Sequence, residues 1–421
     1  MAQMLDKPAR RAYGRNMAVA NETIFLDRGT PPHIGTLVLI TGMSAMVMNM
    51  FLPSLPNMAA YFGTEYRVMQ LSVALYLGTV GVLQIIIGPL SDRFGRRPVL
   101  LWGIAIFIVA TLGCLLAPNA GVFLFFRMMQ ATVSVAMVLT RAIARDISEQ
   151  EQAASMIGYI TMGMAVIPMI TPALGGILDE IFGWKASFLV FLGLGLLTFW
   201  LIWADVGETN RQRSASFAQQ FRQYPELLLS PRFWGYSLAA AFASGTFFAY
   251  LGGAPYVGTQ VFGLSPTRLG ILFGAPGLGY MFGNFLSGRY STMFGINRMV
   301  LTGSMVTLSG VAVSLVVFWL GHGSALSFFG FMIIMGIGNG LVLPNANAGM
   351  LSVRPHLAGT ASGLGGAIMV GGGAALSAYA GSLLGEGSGA LPLLVLMLVV
   401  SILSLASILL VIWREKAIRI A

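Results

Sequence analysis

Charge is scarce in this chain, so an ionisable side chain inside an apolar run is informative. Arg127 is such a residue, with Gln130 less than one helical turn away. A guanidinium stays protonated in a protein, so its chemistry is electrostatic: it can order a polar network or tune proton transfer. Burying it unpaired is expensive, and the competing reading is a side chain that snorkels to the interface. Asn49 also lies in an apolar run; it can hydrogen-bond but cannot carry the proton charge of a carboxylate. None of the 15 carboxylates lies securely inside an apolar run. They fall in the first 33 residues, in loops, at the rims of the runs (Asp92, Asp179, Glu180), in one polar connection (Asp205, Glu208, Glu226) and near the end. His33, His322 and His356 stand at boundaries and turns. No catalytic set, metal site or cofactor site is read from these residues.

The elements that must hold Arg127 and Asn49 are membrane spans. Of 421 residues 56% are hydrophobic and 9% charged, with a mean hydropathy of +0.80. A soluble domain carries about 25% charged residues, so this chain lacks the charge to coat itself. A helical span needs about 20 mostly apolar residues, and twelve stretches qualify: 34–55, 69–90, 98–117, 121–143, 154–178, 185–204, 233–255, 267–288, 297–319, 324–349, 357–380 and 389–412. All but four of the 24 Lys and Arg residues (Arg67, Arg127, Lys185 and Arg268) fall on one side, which puts both termini in the cytoplasm. The net charge of +9 is spread too thinly for nucleic-acid binding. Cys114 is the single cysteine, so no intramolecular disulfide forms. The first 33 residues read as a cytoplasmic tail rather than a signal peptide. The expected organisation is that tail, a six-helix bundle over 34–204, a cytoplasmic linker over 205–231, a second six-helix bundle over 232–412 and a tail over 413–421. The expected fold class is therefore an all-α integral membrane protein with two pseudo-symmetric halves.

The halves carry related signals after their second spans. Gly88-Pro89-Leu90-Ser91-Asp92-Arg93-Phe94-Gly95-Arg96-Arg97-Pro98 is answered by Gly283 through Gly288-Arg289-Tyr290, then Gly295 and Arg298. Asp92 can pair with nearby arginines or receive a helix end and so latch one conformation, while the arginines also fix topology and face anionic headgroups. Span 5 holds Gly163, Pro168, Pro172, Gly175 and Gly176, which permit close approach and bending, or simply a kinked span.

These stretches resemble a known family. Residues 88–98 look like the signature between helices 2 and 3 of the major facilitator superfamily, and Arg127 with Gln130 resembles its span-4 motif. The Pro168, Pro172, Gly175, Gly176 pattern resembles the antiporter signature of its drug-efflux branches. Residues 49–56 and 355–365 are similar to the bicyclomycin/chloramphenicol-resistance transporters. The resemblance implies a twelve-helix major facilitator fold in a bacterial inner membrane, with Gly88, Asp92, Arg93, Gly95, Arg96, Arg97, Gly288 and Arg289 as the conformational switch.

The implied activity is secondary export of small, partly apolar compounds by alternating access, with protons exchanged. The expected partners are a small-molecule substrate, protons and membrane lipids, and the expected state is a monomer that is no enzyme. A cavity between the halves would be lined by Asn49, Met50, Tyr76, Gln84, Arg127, Gln130, Tyr159, Phe247, Tyr250, Tyr256, Asn339 and Asn345. Members of the resembled family keep an acidic residue where this chain has Asn49. A proton-independent carrier of a native metabolite is therefore a standing alternative, and a receptor or scaffold is one of another class. No GxxxxGK[ST] loop is present, so ATP-driven transport would need another subunit.

Overall fold

Proline and glycine decide where these helices bend and stop. The computed structural model describes residues 23–147, 167–210, 224–354, 357–385 and 387–420. Eleven helices in it are long and apolar enough to cross a membrane. In the N-terminal half they are α1 (Ile34–Tyr61), α2 (Tyr66–Phe94), α3 (Arg96–Leu115), α4 (Ala120–Ala144) and α6 (Lys185–Asp205). Between the last two, residues 167–182 form α5, and residues 154–166 of its expected span lie outside the described residues. The C-terminal half contributes α7 (Pro231–Val261), α8 (Pro266–Phe294), α9 (Ile296–Trp319), α10 (Ala325–Ser352), α11 (Ala361–Ser382) and α12 (Leu391–Lys416). No strand occurs among the described residues.

Two of the helices are broken near their polar residues. In α1 the helix stops at Asn49, a short 3-10 turn runs through Leu52–Ser54, and helix resumes at Leu55. Pro53 and Pro56 withhold two amides there and force the interruption. In α4 the helix stops at Gln130, tightens through Ala131–Val133 and resumes at Ser134. The polar residues read as informative thus stand beside irregular backbone, which a membrane protein tolerates only where it is enclosed by protein or lines a cavity.

The turns display the duplication. Glycines with positive φ follow the first span of each half (Gly63, Gly263), the second (Gly95, Gly295) and the fifth (Gly183, Gly387). Gly95 and Gly295 share one backbone conformation, φ 99°, ψ 154° and φ 80°, ψ 158°. Burial then sorts the helices. α7 is the most enclosed, with 83% of its apolar window buried, whereas the window of α6 is 39% buried. Leu189, Leu196, Leu197, Trp200 and Trp203 of α6 point outward, as expected of a face solvated by lipid.

The halves meet along α2 against α11 and along α7 against the broken part of α1. Within the C-terminal half, α10 packs on both α8 and α9. Cβ atoms on Gly279, Gly283, Gly336, Gly338 or Gly340 would strike backbone or side chains of these neighbouring helices, so the α10 glycines serve close packing.

Candidate functional site

Arg127 is 1% exposed and does not snorkel. Its Nη1 donates to Gln130 Oε1 at 2.7 Å, and its Nη2 donates to the Val47 carbonyl at 2.9 Å. Val47 lies in the last turn of the first segment of α1, where helix carbonyls run out of intrahelical donors. Gln130 Nε2 donates in turn to Thr111 Oγ1 at 2.8 Å. One polar chain therefore ties α3, α4 and α1. The guanidinium carbon lies 4.2 Å from the Phe51 ring centre and 4.3 Å from that of Tyr76. Two ring faces offset part of the desolvation, each contributing up to about 2 kcal/mol when water is excluded. No carboxylate pairs with Arg127 among the described residues, and its Nε has no hydrogen-bond partner there.

The remaining expected cavity residues scatter around this centre. Asn49 is 3% exposed and donates through Nδ2 to the Ala45 carbonyl of its own helix at 2.8 Å. Met50 is buried against α5, where a Cβ on Gly175 would overlap its carbonyl. Gln84 reaches α11, its Oε1 lying 3.1 Å from where a Gly366 Cβ would be. Tyr250 packs within the C-terminal half, donating to the Phe273 carbonyl at 3.0 Å and ringed by Phe247, Phe328 and Phe329. Asn345 donates to Ser287 Oγ at 2.7 Å and fastens α10 to α8. Asn339 is buried with Oδ1 unpartnered among the described residues. Tyr256 donates to the Gly385 carbonyl. Tyr159 and Gly163 lie outside the described residues.

At the end of the bundle bearing Asp92, the expected switch residues split into two sets. In the N-terminal half they are tied together. Arg96 pairs with Asp92 at 2.6 Å and with Asp146 at 3.1 Å, and donates to Ser91 Oγ at 2.6 Å. Arg97 donates to the Val206 and Trp203 carbonyls at the end of α6, and Arg93 lies over Phe94. The beginning of the linker closes the set. Glu208 accepts the Arg96 and Arg97 amides at 2.9 and 3.3 Å, and Asn210 donates to the Asp92 carbonyl at 3.1 Å. A Cβ on Gly95 would overlap the Glu208 carboxylate, so glycine serves twice there, for its positive φ and for this approach. In the C-terminal half Gly288 and Arg289 are exposed, and a Cβ on Gly295 would meet nothing within 4 Å. Gly95→Ala is therefore expected to lower the thermal unfolding midpoint more than Gly295→Ala. Both incur about 1–3 kcal/mol for a side chain in this essentially glycine-only region, and only the first displaces Glu208.

The seam between the halves is asymmetric. At the end bearing Asp179 it is tight. Cβ atoms on Gly176 and Gly270 would overlap the carbonyls of Pro266 and Pro172, so α5 and α8 touch backbone to backbone. Asp179 and Glu180 follow the apolar stretch that ends at 178. Glu180 accepts from the Thr267 amide at 3.3 Å, and its hydrogen bonds to Thr267 hold its carboxyl below the ordinary range. Asp179 accepts from Asn57 Nδ2 at 2.7 Å, and burial pushes its carboxyl up. Toward the other end α2 and α11 stay in contact as far as Gln84, whose Oε1 lies 3.1 Å from the Cβ position of Gly366. The Cβ position of Gly81 is 3.4 Å from the Gly371 nitrogen, whereas those of Gly88 and Gly363 have nothing within 4 Å.

The motifs missed Glu180 and Thr267 at the seam and Glu208 in the Asp92 set. Glu180 and Glu208 left a trace only as acids just past spans 5 and 6.

Two halves repeated in their turns, the first enclosing an arginine network, make up the fold, and residues 37–378 match the family described as Major Facilitator Superfamily. The chain belongs to that superfamily and is a multi-pass membrane protein. It is 34% identical over 328 residues to a chloramphenicol resistance protein of Pseudomonas aeruginosa, covering 76% of each chain. It is 30% identical to multidrug resistance protein D of Escherichia coli K12, covering 85% of this chain and 90% of that one. Among solved structures, a bacterial homologue of the human lysosomal transporter Spinster, inward-facing and occupied, superposes with a TM-score of 0.68 at 17% identity. That match covers 91% of this chain and 96% of the other, and it shows the fold alone.

Proposed function

We propose that this protein exports small, partly apolar, drug-like compounds across a bacterial inner membrane by alternating access. Both termini and the Asp92 end face the cytoplasm in this reading, because the arginines gather there. The observation that carries it is the seam at the Asp179 end, closed backbone to backbone at Gly176–Pro266. In this reading that closure is one half of an alternating cycle, with the path to the substrate reached from the Asp92 end. The printed activities of the relatives, chloramphenicol and multidrug resistance, supply the substrate class. In a drug-sensitive bacterial host, expression is expected to raise the tolerated chloramphenicol concentration and lower its accumulation. Unchanged tolerance and accumulation, with the protein present in the membrane, would overturn the reading.

Protons are the proposed counter-ion. A carrier without proton exchange is the second reading, favoured by one observation: every described carboxylate sits at a helix end or in a loop. Asn49→Asp tests the difference. The substitution would place a carboxylate at the buried break of α1, where Asn49 now donates to the Ala45 carbonyl. The variant is expected to show a steeper pH dependence of transport or a gain of cationic substrates. Identical pH profiles and substrate ranges would place residue 49 outside the transport path.

A further inference from the structure

Gln70 belongs to no motif, yet it is 0% exposed at the seam near the closed end. Its Nε2 donates to the Ser377 carbonyl at 2.6 Å and to Ser377 Oγ at 2.9 Å, across to α11. The amide lies in a slot walled by two glycines on two helices of the other half. A Cβ on Gly252 of α7 would stand 2.8 Å from Gln70 Nε2, and a Cβ on Gly381 of α11 would strike the amide carbon at 2.6 Å. One turn earlier on α2, Tyr66 donates to the Gly252 carbonyl at 2.8 Å and its ring lies against Tyr256, 5.2 Å between centres. Every partner of the Gln70 amide is in the C-terminal half, so these contacts exist only while this end is shut.

We propose that Gln70 is a positioning residue of the transport cycle, a bolt whose seating in the Gly252–Ser377–Gly381 slot holds the Asp179 end closed. This rests on the alternating-access reading. The bolt is built for release. Its Oε1 has no partner among the described residues, and opening would return that oxygen to water, offsetting part of the loss of the Nε2 bonds. A leucine would fill the slot without either bond. A methyl at 381 would keep the amide out.

The test is a pair of distance measurements by electron–electron resonance in nanodiscs. Spin labels at Arg67 and Ser382, both exposed, report the Asp179 end. Labels at Phe94 and Phe294, also exposed, report the other. With Gln70 intact, the short distance is expected to dominate at 67–382. Gln70→Leu and Gly381→Ala are each expected to lower the ratio of short to long distances there about tenfold, the size of two lost neutral hydrogen bonds. The 94–294 distance should contract in the same samples, a reciprocal change that a merely loosened fold would not give. An unchanged 67–382 distribution in both variants, while added drug or a change of pH still exchanges the two ends of the protein with Gln70 intact, overturns the bolt and leaves alternating access standing. Two ends that never exchange overturn alternating access itself. Should Gln70→Leu fail to fold, Gly381→Ala carries the same test alone.

Discussion

Replacing Arg127 with leucine is expected to reduce transport by at least about tenfold, the effect of losing roughly 1.4 kcal/mol of stabilisation. The side chain anchors a chain of hydrogen bonds from Thr111 through Gln130 to the Val47 carbonyl, and it fills the space between Phe51 and Tyr76. Leucine would strand Gln130 Oε1 and the Val47 carbonyl in a buried site, and each stranded group costs about 1–3 kcal/mol. Arg127→Lys separates charge from geometry. Lysine keeps the positive charge but cannot donate to two acceptors as a planar fork while stacking between rings. It is expected to fold and to recover little of the rate. Initial rates in vesicles, read beside thermal unfolding in detergent, check both variants; full activity of Arg127→Lys would show that charge alone suffices.

The second large effect concerns two adjacent glycines with different neighbours. A Cβ on Gly176 would overlap the Pro266 carbonyl of the opposite half, whereas a Cβ on Gly175 would overlap the Met50 carbonyl of its own half. Backbone cannot rotate away as a flexible side chain can, so either substitution must move a helix. Gly175→Ala therefore disturbs α1 against α5 in every state, and is expected to lower the unfolding midpoint. Gly176→Ala disturbs only the closed Asp179 end. It is expected to leave the midpoint near its starting value while cutting turnover about a hundredfold, because about 2.7 kcal/mol of penalty on one state of a cycle has that effect. Equal midpoints and equal rates for the two variants would show that the seam does not close as described.

The sequence disclosed the membrane class through its deficit of charge, and most spans through their length. The expected 69–90 and 233–255 became Tyr66–Phe94 and Pro231–Val261. The ends moved outward because helices continue past the apolar stretch, where hydropathy gives no signal. Arg127 and Gln130 were legible as a pair because three residues separate them on one helix. Their aromatic sandwich was not, since Phe51 and Tyr76 come from two other helices. Gln70 illustrates the limit: its partner Ser377 is 307 residues away, and a lone glutamine among apolar residues has no pattern until the halves are placed together. Tyr250 is expected from sequence among the cavity residues; the aromatic neighbours the structure gives it, Phe273, Phe328 and Phe329, come from other helices that no local pattern links to it.

Movement of drug-like solutes through a space exposed to one side at a time is the proposal that links these features. It can be followed with purified protein in vesicles carrying an imposed pH gradient, with radiolabelled chloramphenicol as the probe and proton flux recorded in parallel. Gradient-driven accumulation above equilibrium is expected, accompanied by proton movement and absent in Gly176→Ala vesicles. Equal uptake of the probe by vesicles with and without protein, or a Gly176→Ala protein that transports as well as its parent, would refute the transport cycle proposed for this molecule.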